Sequence, residues 1–151
     1  MGPSPVVRLE DALRGITSIG LDTSPLIYFI EFHPMFGLVA REILHRVFIG
    51  TIVGYCSNLI RTETLTHPLR RGDHVQAEAY RALFLNLRMI DVDGMIAERA
   101  ADLRARYNLR TPDAIHIATA IVAGCDAFLT NDLALRRVTE LRVLTLSTLA
   151  L

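Results

Sequence analysis

Residues 111–132 read TPDAIHIATAIVAGCDAFLTND, and their interpretation decides the fold. Pro112 stands at the first helical position behind Thr111, read as the cap, and Gly124 closes the helix. The four residues AFLT then form a short apolar strand. The stretch is greasy throughout, yet an acid stands near each end, Asp113 and Asp132. A helix followed directly by a strand returns the chain across a sheet, and two acids brought to one sheet edge would make a site.

Working outward, the same alternation recurs. GITSIGLD reads as a buried strand ending at Asp22, and SPLIYFIE opens a helix with Ser24 as N-cap and Pro25 in the first turn. Pro34 ends it. MFGLVAREILHRVFIG continues as an amphipathic helix whose Phe36, Val39, Ala40, Ile43, Leu44 and Val47 share one face. Met35, Phe36 and Phe48 are read as core members of this hairpin over 25–49, whose exposed side offers a groove for a partner. TIVGYCSN is β-rich. LIRTETLTHPL starts helical and is broken by Pro68, with RRGD as a loop. Two helices follow, over about 74–88 and 94–107. After AFLT come a short helix, DLALRRVTE, and a last strand, LRVLTLS. Strands alternating with helices predict an α/β fold in three layers, a parallel sheet of about five strands covered on both faces. Residues 1–15 are read as an N-terminal extension and 16–151 as one domain.

Composition limits the functions. The chain of 151 residues is 51% hydrophobic and carries 16 basic and 16 acidic residues, so bulk charge supports neither a nucleic-acid nor a membrane partner. Every basic residue is Arg. Cys56 and Cys125 lie in apolar surroundings and read as small buried residues, which points to a reducing cytoplasm. The start lacks the apolar segment of a signal peptide, Val6 fails the myristoylation pattern, and no run is long enough to span a bilayer.

Sites in an open parallel sheet form beyond the carboxyl ends of its strands. Asp22 closes the first strand, Asp132 follows AFLT, Glu63 lies about a turn beyond TIVGYCSN, and Asp113 opens its helix. Asp126 sits at the opposite, amino end of its strand. Any one of these acids is explained by a helix dipole, typically worth about 0.3–1 kcal/mol. Several together are not, because two unit charges about 4 Å apart repel by roughly 4 kcal/mol at an effective dielectric of 20. Such a cluster calls for protonation or a cation, and all-oxygen ligands suit Mg²⁺ or Mn²⁺ rather than Zn²⁺.

LDTSPLIYF, SNLIRTE, TPDAIHIATA and FLTND follow in the order of the PIN-domain family, which the chain resembles over about residues 18–147. It looks most similar to the small VapC-type toxins of prokaryotic toxin–antitoxin pairs. The resemblance implies a Mg²⁺- or Mn²⁺-dependent ribonuclease with Asp22, Glu63, Asp113 and Asp132 as the acidic, metal-holding quartet, supported by Ser24, Thr130 and Asn131. It also implies a small antitoxin partner and a homodimer. The extension before Ile16 is longer than in compact members. RNA contacts are expected from Arg110, Arg136 and Arg137, which flank the acids in sequence, and from Arg70 and Arg71, with His67 and His74 nearby. His116, one turn after Asp113, is read as a buried, hydrogen-bonded histidine. A haloacid-dehalogenase-type phosphatase is disfavoured, because Ser24 stands where Asp-x-Asp is required and the chain has no Lys. A catalytically silent or masked module that acts by binding protein or RNA remains open.

Overall fold

The computed structural model describes residues 4–151. The start of the extension, residues 1–3, lies outside the described residues. In chain order the elements are β1 (Val7–Arg8), α1 (Leu9–Ala12), β2 (Ser18–Leu21), α2 (Thr23–Ile30), α3 (Gly37–Phe48), β3 (Val53–Ser57), α4 (Leu59–Arg71), α5 (His74–Phe84), β4 (Arg88–Ile90), α6 (Gly94–Tyr107), α7 (Thr111–Val122), β5 (Ala127–Thr130), β6 (Arg142–Thr145) and β7 (Leu149–Ala150). Five strands form one parallel sheet in the order β4-β3-β2-β5-β6. This is the α/β architecture expected. The chain moves outward from β2 to β4 and then returns to the other side of β2, so the strand order reverses between β2 and β5.

Alternation along the central strands sorts the two faces. Ile19, Leu21, Ala127 and Leu129 point into one core with α1, α2, α3 and α5. Phe128 points into the other, with Ala114, Ile117, Ala118 and Ala120 of α7 and Ile96, Ala100 and Leu103 of α6. Gly20 lies on that second face, and a Cβ there would stand 2.4 Å from the Cβ of Ala120 and 3.1 Å from Phe128. The missing side chain lets α7 lie directly on β2. Gly124, with φ +76°, then ends the helix as the sequence predicts.

Several expectations change. Pro68 does not break its helix: α4 runs on to Arg71 and stops at Gly72, whose φ is +68°. Ile60, Thr64 and Pro68 are buried at four-residue spacing, so packing of one face holds the helix across the missing N–H. Arg70 and Arg71 therefore belong to its last turn, not to a loop. β4 has only three residues and went unread. The segment DLALRRVTE yields a 3₁₀ turn over Leu133–Arg137. Met35 is 75% exposed, not core, while Phe48 packs edge-on to Phe29 at its half-exposed position.

The segment before Ile16 sends Leu9, Ala12 and Leu13 into the first core, and β1 pairs in parallel with β7. At the amino edge of the sheet, Asp126 accepts hydrogen bonds from Thr17 N and Ser18 N, at 2.9 and 3.2 Å, and from the Thr17 hydroxyl. It is thus remote from the other acids. Among the described residues no helix is long and apolar enough to cross a membrane.

The close approach of α7 to β2 gives a test. Gly20→Ala should cost about 1–3 kcal/mol of unfolding free energy, because backbone-borne carbon atoms must separate. Gly54→Ala should cost clearly less, since its nearest neighbour is the end of the Leu87 side chain at 2.9 Å. Urea denaturation of both variants measures the difference; equal losses would refute this account.

Candidate active site

Asp22 is the first residue after β2. Its N–H donates to Leu129 O at 2.9 Å, extending the pairing with β5 by one rung. Its Oδ1 accepts from Thr23 N at 2.8 Å, and its Oδ2 accepts from the Thr130 hydroxyl at 2.7 Å. Asp22, rather than Ser24, is therefore the N-cap of α2. The strand ends one residue earlier than a Ser24 cap requires, and a carboxylate caps as well as a hydroxyl. Ser24 is freed to accept from Asn131 N at 3.2 Å. Burial pushes the Asp22 carboxyl above its ordinary range, against the opposing effects of His116, Thr130 and the Thr23 N–H; the charge of Asp113 adds to the rise.

Asp113 stands in the first turn of α7 and is buried. Arg110 occupies the N-cap position without a side-chain cap and Thr111 is the first helical residue, so the reading of Thr111 as cap is also corrected. The Arg110 guanidinium forks onto Asp113, Nε to Oδ2 at 3.1 Å and Nη2 to Oδ1 at 3.4 Å. Glu63, one turn into α4, accepts from the Thr23 hydroxyl at 2.8 Å and from Nε2 of His116, both on Oε1. Burial pushes Glu63 up, but the hydrogen bond and charge of His116, the Thr23 hydroxyl and Arg110 outweigh it and leave the carboxyl below its ordinary range. Asp132 follows β5. Its N–H donates to Thr130 Oγ1 at 3.1 Å, and its Oδ1 caps the 3₁₀ turn through Ala134 N at 2.9 Å.

These side chains line one open cavity of about 500 Å³ at the carboxyl edge. Asp22, Glu63, Asp113 and Asp132 all border it, as do Ser24, Thr130, Asn131 and Arg110. Arg70, Arg71, Arg136 and Arg137 do not. Arg71 pairs instead with Gln76 at 2.8 Å, and Arg137 donates to Asn108 O at 3.3 Å. Thr23 and Tyr28 border the cavity and were missed from sequence. Thr23 was legible as the middle of Asp-Thr-Ser, the residue best placed to reach sideways from a capped helix start. Tyr28, whose hydroxyl accepts from Asn131 Nδ2 at 3.3 Å, gave no signal beyond lying one turn further on. His116 is 2% exposed and hydrogen-bonded. Both cysteines are free thiols, with burial pushing Cys125 to about 12 and Cys56 higher still.

The donor set is all oxygen. Among the described residues, however, no three His, Cys, Asp or Glu side chains come close enough together to hold a metal ion among them. Mg²⁺ does not need such a group, since it retains several waters and takes only one or two carboxylates directly. The Asp22 carboxyl, raised by burial and to a smaller extent by the charge of Asp113, is the kind of group whose ionised form a cation would favour. The residues present thus fit a hydrated divalent ion.

A family model described as PIN domain matches residues 19–141. The chain belongs to the PIN-domain family. Solved structures sharing this PIN fold include a toxin–antitoxin complex from Klebsiella pneumoniae, 22% identical with a TM-score of 0.68 over 86% of this chain and 98% of that one. DNA-bound VapBC from Salmonella typhimurium is 17% identical, with a TM-score of 0.70 over 87% and 98%. The Mycobacterium tuberculosis toxin VapC20, described as cleaving the sarcin–ricin loop, is 22% identical, with a TM-score of 0.62 over 83% and 99%. No curated protein matches this PIN domain.

A second cavity of about 580 Å³ is apolar and lies along the α2–α3 hairpin, bordered by Phe29, Phe32, His33, Leu38 and Arg41. It borders none of the four acids.

Burial of Asp22 gives the site a pH signature. Its folded pKa lies above the unfolded 3.8, so the folded state holds the extra proton between the two values and stability falls as pH rises through that window. Asp22→Asn should remove this fall. In EDTA at pH 7 the variant should melt higher than wild type, by about 2–4 °C for each kcal/mol relieved. The gap should close towards pH 4. Calorimetry across that range decides, and parallel curves would count against the argument.

Proposed function

We propose that this chain is a metal-dependent ribonuclease that cleaves RNA phosphodiester bonds internally, acting as the toxin of a toxin–antitoxin pair. One observation carries the reading: four carboxylates from four separate elements border a single open cavity where the strand order reverses. The shared fold of the Klebsiella pneumoniae toxin–antitoxin complex and of the toxin VapC20 supports the toxin assignment.

Asp22, Glu63, Asp113 and Asp132 would hold Mg²⁺ or Mn²⁺, directly or through water. When bound, such an ion makes water more acidic and neutralises charge developing on the phosphate. Thr130 orients Asp22 through its hydroxyl, and its Oγ1 accepts from the Asp132 N–H. Ser24 and Asn131 lock the turn between β5 and Asp132. Arg110, bordering the same cavity, supplies a phosphate contact, with Arg136, Arg137, Arg70 and Arg71 as further contacts for a longer RNA. A small antitoxin would occupy the apolar cavity of the hairpin, where Phe32, Met35 and Leu38 are exposed, and the toxin would act as a cytoplasmic homodimer. The catalytic unit is taken as residues 16–151, with residues 1–15 as an extension.

A second reading is a catalytically silent or masked module that works by binding. It is favoured by the Arg110 fork, which engages both oxygens of Asp113.

The two part on one experiment. Purified protein, free of partners, is incubated with a panel of structured RNAs in Mg²⁺, Mn²⁺ or EDTA beside Asp113→Asn. Cleavage that needs metal and falls at least about 100-fold in the variant, the scale on which removing one preorganised electrostatic group acts, is the expected outcome. Equal products from both proteins, or none from a wild type shown to bind metal, would favour the silent module.

A further inference from the structure

His116 lies one turn after Asp113 on α7, the helix that rests on β2 and β3. Its ring is buried, yet its polar contacts are few. Nε2 is hydrogen-bonded to Oε1 of Glu63 and lies 3.5 Å from the Thr23 hydroxyl. Nδ1 is buried with no partner among the described residues. Most buried polar side-chain atoms find a partner, because an unpaired one in the interior is costly. Here the single strong tie is to a carboxylate of the site.

The direction of that tie is fixed. An ionised Glu63 only accepts, so Nε2 carries the hydrogen. Thr23 also donates to Oε1, and among the described residues no hydrogen bond falls on Oε2. Glu63 is a long side chain at an exposed position of α4. Two donors on one oxygen take away its freedom to swing into solvent and leave the other oxygen for the cavity that Glu63 borders.

We propose that His116 is a positioning residue: its Nε2–H pins Oε1 of Glu63 and presents Oε2 to a divalent cation in the cavity. This rests on the metal-site reading given above. Groups that orient a ligand in this way typically matter about 10–100-fold in metal affinity.

Mn²⁺ titrated calorimetrically into metal-free protein tests this, with thermal melting in EDTA to check the fold. His116→Leu removes the donor. His116→Gln carries an amide N–H at about the reach of Nε2, whereas the shorter His116→Asn falls short of Glu63. The expected result is Mn²⁺ binding weakened about 10–100-fold in the Leu and Asn variants and held within about threefold of wild type in the Gln variant. In EDTA the Leu variant should melt no lower than wild type, since it deletes a half-satisfied buried ring. Should the Leu variant fail to melt cooperatively, the Gln and Asn pair decides alone. Wild-type affinity in Leu, or equal affinity in Gln and Asn, overturns the role of His116 while leaving the metal site standing. A wild type that takes up no Mn²⁺ overturns the metal reading, and this inference with it.

Discussion

Everything at the carboxyl edge depends on how closely α7 approaches β2. Gly20 has no side chain to hold the helix off, and Ala120 is the residue that comes down on it. Helix and strand therefore touch nearly backbone to backbone. That contact sets the height of the helix over the sheet, and so places Asp113 beside Asp22 and His116 beneath Glu63. A wider separation would leave the same residues on the same elements without bringing their side chains to one cavity.

The second constraint is charge. Four acids at one edge repel, and the protein tempers this without eliminating it. Asp22 spends its oxygens on a helix start and the Thr130 hydroxyl, Glu63 leans on His116 and Thr23, Asp132 caps a turn, and Asp113 takes the Arg110 fork. Each acid thus has a local structural job that any fold could give it. Their convergence is what no local job explains, since the cavity is bordered by residues separated by up to 110 positions in sequence.

The sequence was legible where chemistry is tied to chain direction. Asp22 and Asp132 follow short buried strands, so their edge could be read from the strand pattern alone. The alternation of strand and helix yielded the parallel sheet because buried strands and amphipathic helices differ in period. Illegible features were those settled by tertiary packing. Pro68 should end a helix by its own preference, but the buried face made by Ile60 and Thr64 overrides it. β4, three residues long, has no periodicity to detect and exists because β3 offers it an edge. The cap at Asp22 rather than Ser24 turned on one residue of strand length. The arginines were harder still: Arg110 and Arg137 look alike in sequence, yet only Arg110 reaches the cavity, because its side chain folds over the first turn of its own helix.

The short parallel pair of β1 and β7 carries a consequence for how the molecule opens. Val7 lies against Leu149 and Arg8 against Ala150, so segments near opposite ends of the described chain form one clip. Neither half of so small a ladder holds by itself. Fraying at one end strips the other of its partner, and the disturbance passes directly to Leu9 and Ala12, which lie in the main core immediately after β1. The two ends thus form a single cooperative unit of local unfolding. A protease that nicks either one would loosen both, on the side of the molecule where Arg8, Leu9 and Leu151 share a small cavity with Glu42 and Arg46 of α3, away from the acidic cavity.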